Sequence, residues 1–280
     1  MSAILDQYVR LAWRIADQIE LPLISGIHLP LRVDDPEKPD EFGFVFLEDG
    51  SAGPFYTRLD DDLEQLWRRT ASQPVGGRVI DLVDGWLADD QASRALALGA
   101  FNALSQHLMR RAGFLPPAHQ APKSRPPESG LAMVGYIRPM VEKLLQRGLQ
   151  KVLVLERNPS RVEPAAGVVV SSDPADLRAY DYIICTASTL INDSLGEILQ
   201  HKRPGAHLAL VGPSGSGLAD VLFANGVDEV GGIWIEDLPA LRDALKAQQA
   251  WGHAGSKYNL AASGYPGVDK LLENIAPAGP

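Results

Sequence analysis

Four short stretches combine residue types suited to holding a small polar or anionic molecule. They are Gly135-Tyr136-Ile137-Arg138-Pro139, Glu156-Arg157, Ala187-Ser188-Thr189-Leu190-Ile191-Asn192-Asp193 and Gly212-Pro213-Ser214-Gly215-Ser216-Gly217. Gly135 permits a tight turn and close backbone approach, and Pro139 suits the first turn of a helix. Glu156 stands 21 residues after Gly135, near the ~20-residue separation at which a carboxylate meets ribose hydroxyls in dinucleotide folds. Arg157 supplies a cation beside it. Ser188, Thr189 and Asn192 put hydroxyls and a carboxamide on a helix's first turn, where free N–H groups and the dipole favour an anion. Gly212, Pro213 and Ser214 form a turn able to bend backbone amides around a carboxylate or phosphate. Taken singly, each has a plain alternative: a solvated ion pair at Glu156-Arg157, ordinary helix capping at Ser188 or Thr189.

Several familiar chemistries are missing. The loop at Gly135 is not GxGxxG, and the loop at Gly212 lacks the Gly-Lys-Ser/Thr ending of an ATP-hydrolysing P-loop. The chain contains no HExxH and no GxSxG, and none of its six histidines has a second at metal-ligand spacing. His28, His107 and His201 read as ordinary residues, His107 as a partly exposed position on a long helix. Asp60, Asp61 and Asp62 read as acids capping a helix rather than as a metal site. Cys185, the single cysteine, lies in the apolar run Tyr182-Ile183-Ile184-Cys185, which reads as buried strand. It excludes an intrachain disulfide and a thiolate-rich zinc site and fits a reducing compartment.

The elements that position these loops follow from apolar spacing. Ile4 to Ile19 reads as an amphipathic helix, and Leu23 to Val33, Phe42 to Leu47 and Pro54 to Tyr56 as an antiparallel meander. A helix after Asp62, a buried segment from Val79 to Trp86 and a long helix from Gln91 to Arg111 complete an α+β domain, residues 1–112. Residues 113–130, with prolines at 116, 117, 122, 126 and 127, read as a linker; its Lys123 and Arg125 are solvated or close over an anion. Next come strand Leu131–Val134, helix Arg138–Gln146, and strands Val152–Leu155 and Val168–Val170. Helix Pro174–Arg178, strand Tyr182–Thr186, helix Leu190–Gln200 and strand His207–Val211 continue the alternation. Helix Leu218–Phe223, a short strand at Val230–Ile233 and helix Pro239–Gln248 end it. That alternation predicts an α/β domain over 131–254 with a mainly parallel sheet covered on both faces, a Rossmann-like layout. Ligands collect at the C-terminal ends of such strands, where all four loops fall. Residues 255–280 read as a loose tail, with a lid as the alternative.

The whole chain bounds the rest. At 280 residues, with 45% hydrophobic and 22% charged, it is long enough for two compact units. A net charge of -9 argues against nonspecific binding to nucleic acid or anionic membranes. The start lacks a signal peptide's pattern and no apolar run approaches a spanning length, so a cytoplasmic protein is expected. A homodimer stays open.

Further strings carry a family resemblance: Ala97-Leu98-Gly99-Ala100-Phe101-Asn102-Ala103-Leu104, Val134-Gly135-Tyr136 with Pro139, and Leu155-Glu156-Arg157-Asn158-Pro159. With Ala187 to Asn192 and Val211-Gly212-Pro213-Ser214 they make the chain resemble the heavy-metal chelation family, which joins an enolase N-terminal-like domain to a Rossmann-like domain. The match departs from the family's pattern at Ala187, where glycine is usual, and in the C-terminal extension. The resemblance implies a site between the two domains, with Asn102 facing it from the first. It suggests handling of a metal or a metal-chelating molecule, although no soft ligand cluster is visible. A metal can instead arrive already chelated, its organic acid recognised by Ser188, Thr189, Ser214 and backbone amides. The expected function is binding or processing of a small anionic or metal-chelating molecule, in heavy-metal chelation or metallocofactor metabolism. The alternatives are a nucleotide- or S-adenosylmethionine-dependent transferase, with S-adenosylmethionine or NAD as cofactor, and a non-catalytic partner of a metal-handling assembly.

Overall fold

The computed structural model describes residues 3–31, 41–59, 62–70, 75–117 and 130–275. Asp60, Asp61, Lys123 and Arg125 lie outside them, as does most of the expected linker.

The first half opens with helix α1 (Ala3–Ala16), whose Ile4, Leu5, Tyr8, Leu11, Ala12 and Ile15 are buried, the stripe expected from 3.6-residue spacing. Strands β1 (Ile24–His28), β2 (Phe42–Leu47) and β3 (Ala52–Tyr56) form an antiparallel sheet in that order. Pro54 costs no ladder bond because β3 is an edge strand. Helices α2 (Asp62–Thr70) and α3 (Val79–Val83) follow. Helix α4 (Gln91–Arg111) is capped by Asp90, whose carboxylate accepts from Ser93 N at 2.8 Å. It is buried on nearly every side, from Ala92 to Met109, and so shows no polar face. It runs tightly against β3: a Cβ on Gly53 would sit 2.0 Å from Gly99 O and 2.3 Å from Ala103 N. Small residues on both elements are therefore required.

The second half contains β4 (Leu131–Val134), α5 (Arg138–Gln146), β5 (Val152–Leu155), β6 (Val168–Ser171), β7 (Tyr182–Thr186), α6 (Leu195–His201) and β8 (His207–Val211). Then follow α7 (Asp220–Ala224), β9 (Glu229–Ile235), α8 (Leu238–Lys246), β10 (Gly255–Ala261) and α9 (Gly267–Glu273). The sheet order is β10-β9-β8-β7-β4-β5-β6, parallel except for β10. From β4 the chain steps outward to β5 and β6, then returns to β7 on the other side and steps outward again. The loops after β4 and β7 thus diverge over the same sheet edge, the point where open α/β sheets leave a crevice.

Strand alternation separates two cores. Leu131, Met133, Val152, Val154, Tyr182 and Ile184 pack with Val141 and Leu144 of α5 on one face. Ala132, Val134, Leu153, Leu155, Ile183 and Cys185 face the other way, into a cluster continuous with α1, α4 and Val45, Leu47 and Phe55 of the small sheet. Phe44 and Phe46, on the small sheet's other face, pack with Ile233, Ile235, Leu241 and Leu245 of β9 and α8. The small sheet is held on both faces.

Three expectations need correction. Residues 255–275 are not a loose tail: β10 pairs along its length with β9, and α9 buries Val268 and Leu271. The helix expected over 190–200 is broken. A single 3-10 turn at Ala187–Leu190 precedes a turn in which Asn192 Oδ1 accepts from Ser194 N and Oγ at 3.2 and 2.6 Å, with Asp193 at φ 57°. That side chain offers the backbone a local alternative to helix. His107 is not partly exposed but buried at 5%. Its Nδ1 lies 2.8 Å from Asp49 Oδ2. Among the described residues no helix is long and apolar enough to cross a membrane.

Candidate functional site

The last residues of β4, β5, β7 and β8, namely Val134, Leu155, Thr186 and Val211, all line one cavity of about 670 Å³. Gly135, Tyr136, Pro139, Glu156, Arg157, Ser188, Thr189, Asn192, Gly212, Pro213 and Ser214 line it too. Four loops separated by up to 79 residues in sequence are brought together because parallel strands end on the same edge.

Each loop is shaped by identifiable contacts. Gly135 has φ 79°, and a Cβ there would lie 2.7 Å from Thr186 Cγ2, so only glycine lets β4 turn beside β7. The Glu156 carboxylate accepts from Tyr136 N at 3.3 Å and from Asn158 N at 3.1 Å. It clasps the loop after β4 to the end of β5, and lone pairs remain on both oxygens. At the end of β7 it is Thr186 that caps, accepting from Ser188 N at 3.4 Å, rather than Ser188 or Thr189. Thr189 is buried, and its hydroxyl donates to Thr186 O at 2.7 Å, so its proton is already engaged. Ser188 Oγ lies 3.1 Å from Thr186 Oγ1. Ser214 Oγ accepts from Tyr56 N at 3.0 Å, joining the loop after β8 to the end of β3.

Asn102 does not line the cavity, contrary to the position that the family resemblance implies. It is buried behind it, where its Nδ2 donates to Pro54 O at 2.8 Å and Ser214 O at 2.9 Å. One carboxamide thus ties the small sheet to the wall of the cavity. Gln106, one turn further along α4, does the same deeper in: its Oε1 accepts from Ala52 N at 2.6 Å and its Nε2 donates to Ile235 O at 2.7 Å. Arg94 Nε donates to Ile191 O at 2.7 Å, anchoring α4 to the loop before α6.

Sequence reasoning missed Glu41, Phe42, Tyr56, Leu59, Gln91, Arg161 and Glu197, which also face the cavity. Those from the first half are placed by contacts far apart in sequence, such as Tyr56 with Ser214, and leave no local pattern. Arg161 had a signal: it lies four residues beyond Arg157 in the same loop. The wall carries both signs of charge. Arg138 is paired with Glu142 at 2.9 Å and Glu163 at 2.5 Å. Arg157 and Arg161 are exposed, and neither has an ion-pair or hydrogen-bond partner for its guanidinium among the described residues. The Tyr56 hydroxyl is pushed up to about 12, chiefly by burial and then by Glu41, with Arg161 and Arg58 opposing. It stays protonated at neutral pH and is a donor.

A family model described as "Putative heavy-metal chelation" matches residues 121–262, just over half the chain. The chain belongs to the DUF364 family. An uncharacterised protein of Methanocaldococcus jannaschii is 26% identical over 177 residues, 61% of this chain and 67% of that protein. Two solved DUF364 structures of unknown function share the fold. The one from Pyrococcus horikoshii has a TM-score of 0.68 at 19% identity, covering 92% of this chain and all of its own. The one from Desulfitobacterium hafniense has a TM-score of 0.67 at 16% identity, covering 92% and 98%.

The family description invites a test of direct metal binding. Among the described residues no group of three or more His, Cys, Asp or Glu side chains is placed to hold a metal ion. Cys185, the one thiol, is buried, and burial pushes it up to about 12 despite a hydrogen bond with Thr189. A cysteine takes up a soft metal as its thiolate. The described DUF364 residues of this chain do not fit a bare heavy-metal ion.

Proposed function

We propose that this protein binds or processes a small metal-chelating organic acid in the strand-end cavity, serving metal-chelate or metallocofactor metabolism. On this reading the large sheet is a Rossmann-like unit, the first 112 residues are an enolase N-terminal-like unit, and the ligand sits between them. Arg157 and Arg161 carry the argument, as guanidinium groups that have no partner among the described residues and stand on the wall of one cavity in a chain of net charge -9. A guanidinium fork matches a carboxylate bidentately. Ser188 Oγ, Ser214 Oγ and the Tyr56 hydroxyl add neutral donors. The volume lies within the ~300–1,000 Å³ of small-molecule sites. The metal would come with the acid, which reconciles the family's description with the missing donor set.

Calorimetry tests this reading. Citrate, free or carrying a divalent transition metal, is expected to bind the wild type, and the metal ion alone is not. The Arg157→Ala/Arg161→Ala double variant is expected to bind citrate at least about tenfold more weakly, the order of a lost charge-assisted hydrogen bond. Binding of the bare ion with no response to any chelating acid overturns the proposal.

One observation favours a nucleotide or S-adenosylmethionine transferase as a second reading: Glu156 ends the second strand of a sheet with this order. Its carboxylate is already held by two backbone N–H groups, which weakens the case. A thermal shift with S-adenosylmethionine, NAD or ATP would restore it.

A further inference from the structure

Resting on that reading, we infer that the acid is planar and aromatic, its ring lying against Tyr56 and Phe42 and its carboxylate meeting Arg157 and Arg161. Two surfaces of different chemistry line the cavity. The small sheet contributes Phe42 at the start of β2 and Tyr56 at the end of β3, opposite each other in register. Their rings stand 5.7 Å apart at 69°, and Phe42 is held in turn by Trp251 at 5.7 Å and 77°. Tyr56 is also anchored through its backbone to Ser214. Both rings are half-buried, so each presents a fixed edge or face whose ordering cost is already met by the fold. Edge-to-face neighbours of this kind favour another flat ring over a saturated one.

The large sheet contributes the two guanidinium groups. Arg161 lies close enough to Tyr56 to influence its phenol, so the aromatic wall and the cationic wall adjoin. A carboxylate attached directly to an aromatic ring lies in or near the ring plane. It can enter the guanidinium fork while the ring packs on Tyr56, with the protonated Tyr56 hydroxyl available as a further donor. An aliphatic acid satisfies the cations and leaves the aromatic wall wet. An uncharged aromatic does the reverse. That Phe42 and Tyr56 merely close the small sheet's end accounts for the contact of Phe42 with Trp251 and Tyr56 but not for two arginines beside them without partners among the described residues.

The experiment titrates the full-length protein by calorimetry with salicylate, with 2-hydroxycyclohexanecarboxylate, which has the same donors on a saturated ring, and with citrate. Salicylate is expected to bind about tenfold or more tightly than its saturated analogue. Tyr56→Leu is expected to erase that preference, weakening salicylate, which loses ring and hydroxyl, more than citrate, which loses the hydroxyl alone; the Arg157→Ala/Arg161→Ala double variant is expected to weaken all the acids. Should Tyr56→Leu fail to fold, the wild-type comparison of salicylate with its saturated analogue decides alone. Equal affinity for those two, or citrate binding without salicylate binding, overturns this inference and leaves the proposed function standing. Binding of none of the acids overturns both.

Discussion

The seam between α4 and its neighbours and the cavity at the strand ends are both rich in polar groups, yet the seam buries neutral carboxamides and the cavity keeps charged groups exposed. Along the seam, Asn102 and Gln106 are buried, and their carboxamide N–H groups reach backbone carbonyls of the other half. Asp49 accepts from Ser51 N and Oγ and meets His107. Burying such groups is costly unless they are bonded, and once bonded they fix one arrangement of the two sheets. In the cavity, Arg157 and Arg161 are exposed and have no partner for their guanidinium groups among the described residues. Charge and exposure sort the residues here: the buried carboxamides hold the wall in place, and the exposed guanidinium groups are available to a ligand.

The sharpest way to break the comparison is to remove a partnered group. Gln106→Leu strands Ala52 N and Ile235 O in the interior and is expected to destabilise the fold by about 2–6 kcal/mol, from two buried groups at ~1–3 kcal/mol each. Urea unfolding measures it, and a loss below about 1 kcal/mol would mean the seam is not built as described.

Acid provides the next effect. Partial burial pushes the Asp49 carboxyl up, but hydrogen bonds from His107 and Ser51 outweigh it and hold the group down at about 2 from an ordinary 3.8. As pH falls the unfolded chain therefore takes up this proton first. The contribution is complete above about pH 4 and fades as pH drops toward 2, amounting to about 1 kcal/mol once solvent screening at this exposed residue is allowed for. Unfolding wild type and Asp49→Asn across that window should show their stability difference shrinking with acid; a constant difference contradicts the assignment.

A smaller effect concerns Cys185. With its thiol buried and raised to about 12, iodoacetamide at neutral pH is expected to label it only in denaturant, since the thiolate is the nucleophile. Labelling of the native protein at the rate of the unfolded chain would show that the core face of β7 opens.

Much of this architecture was legible before any coordinates. Strands β4, β5, β7 and β8 are short, mostly apolar runs that stop at Gly135, Glu156, Thr186 and Gly212, which is how buried parallel strands read. Because their order along the chain forces their ends onto one edge, the loops at Gly135, Glu156, Ser188 and Gly212 could be grouped without a structure. Strand β10 was not legible: only Tyr258 and Leu260 of its seven residues are buried, too weak an alternation to separate an edge strand from a tail. The break at Asn192 was hidden because its cause is a side chain bonding its own backbone within an otherwise helical pattern. Tyr56 and the true place of Asn102 depend on contacts 158 and 112 residues away. No local spacing encodes such distances.

The most direct test makes two readings on one molecule, the Arg157→Ala/Arg161→Ala double variant. Exposed residues without partners contribute little to stability, within about 0.5 kcal/mol, so its unfolding midpoint should match the wild type while its affinity for salicylate and citrate falls at least about tenfold. A variant that binds these acids as well as the wild type, or that loses stability instead of affinity, contradicts the division between residues that hold the wall and residues that meet the ligand.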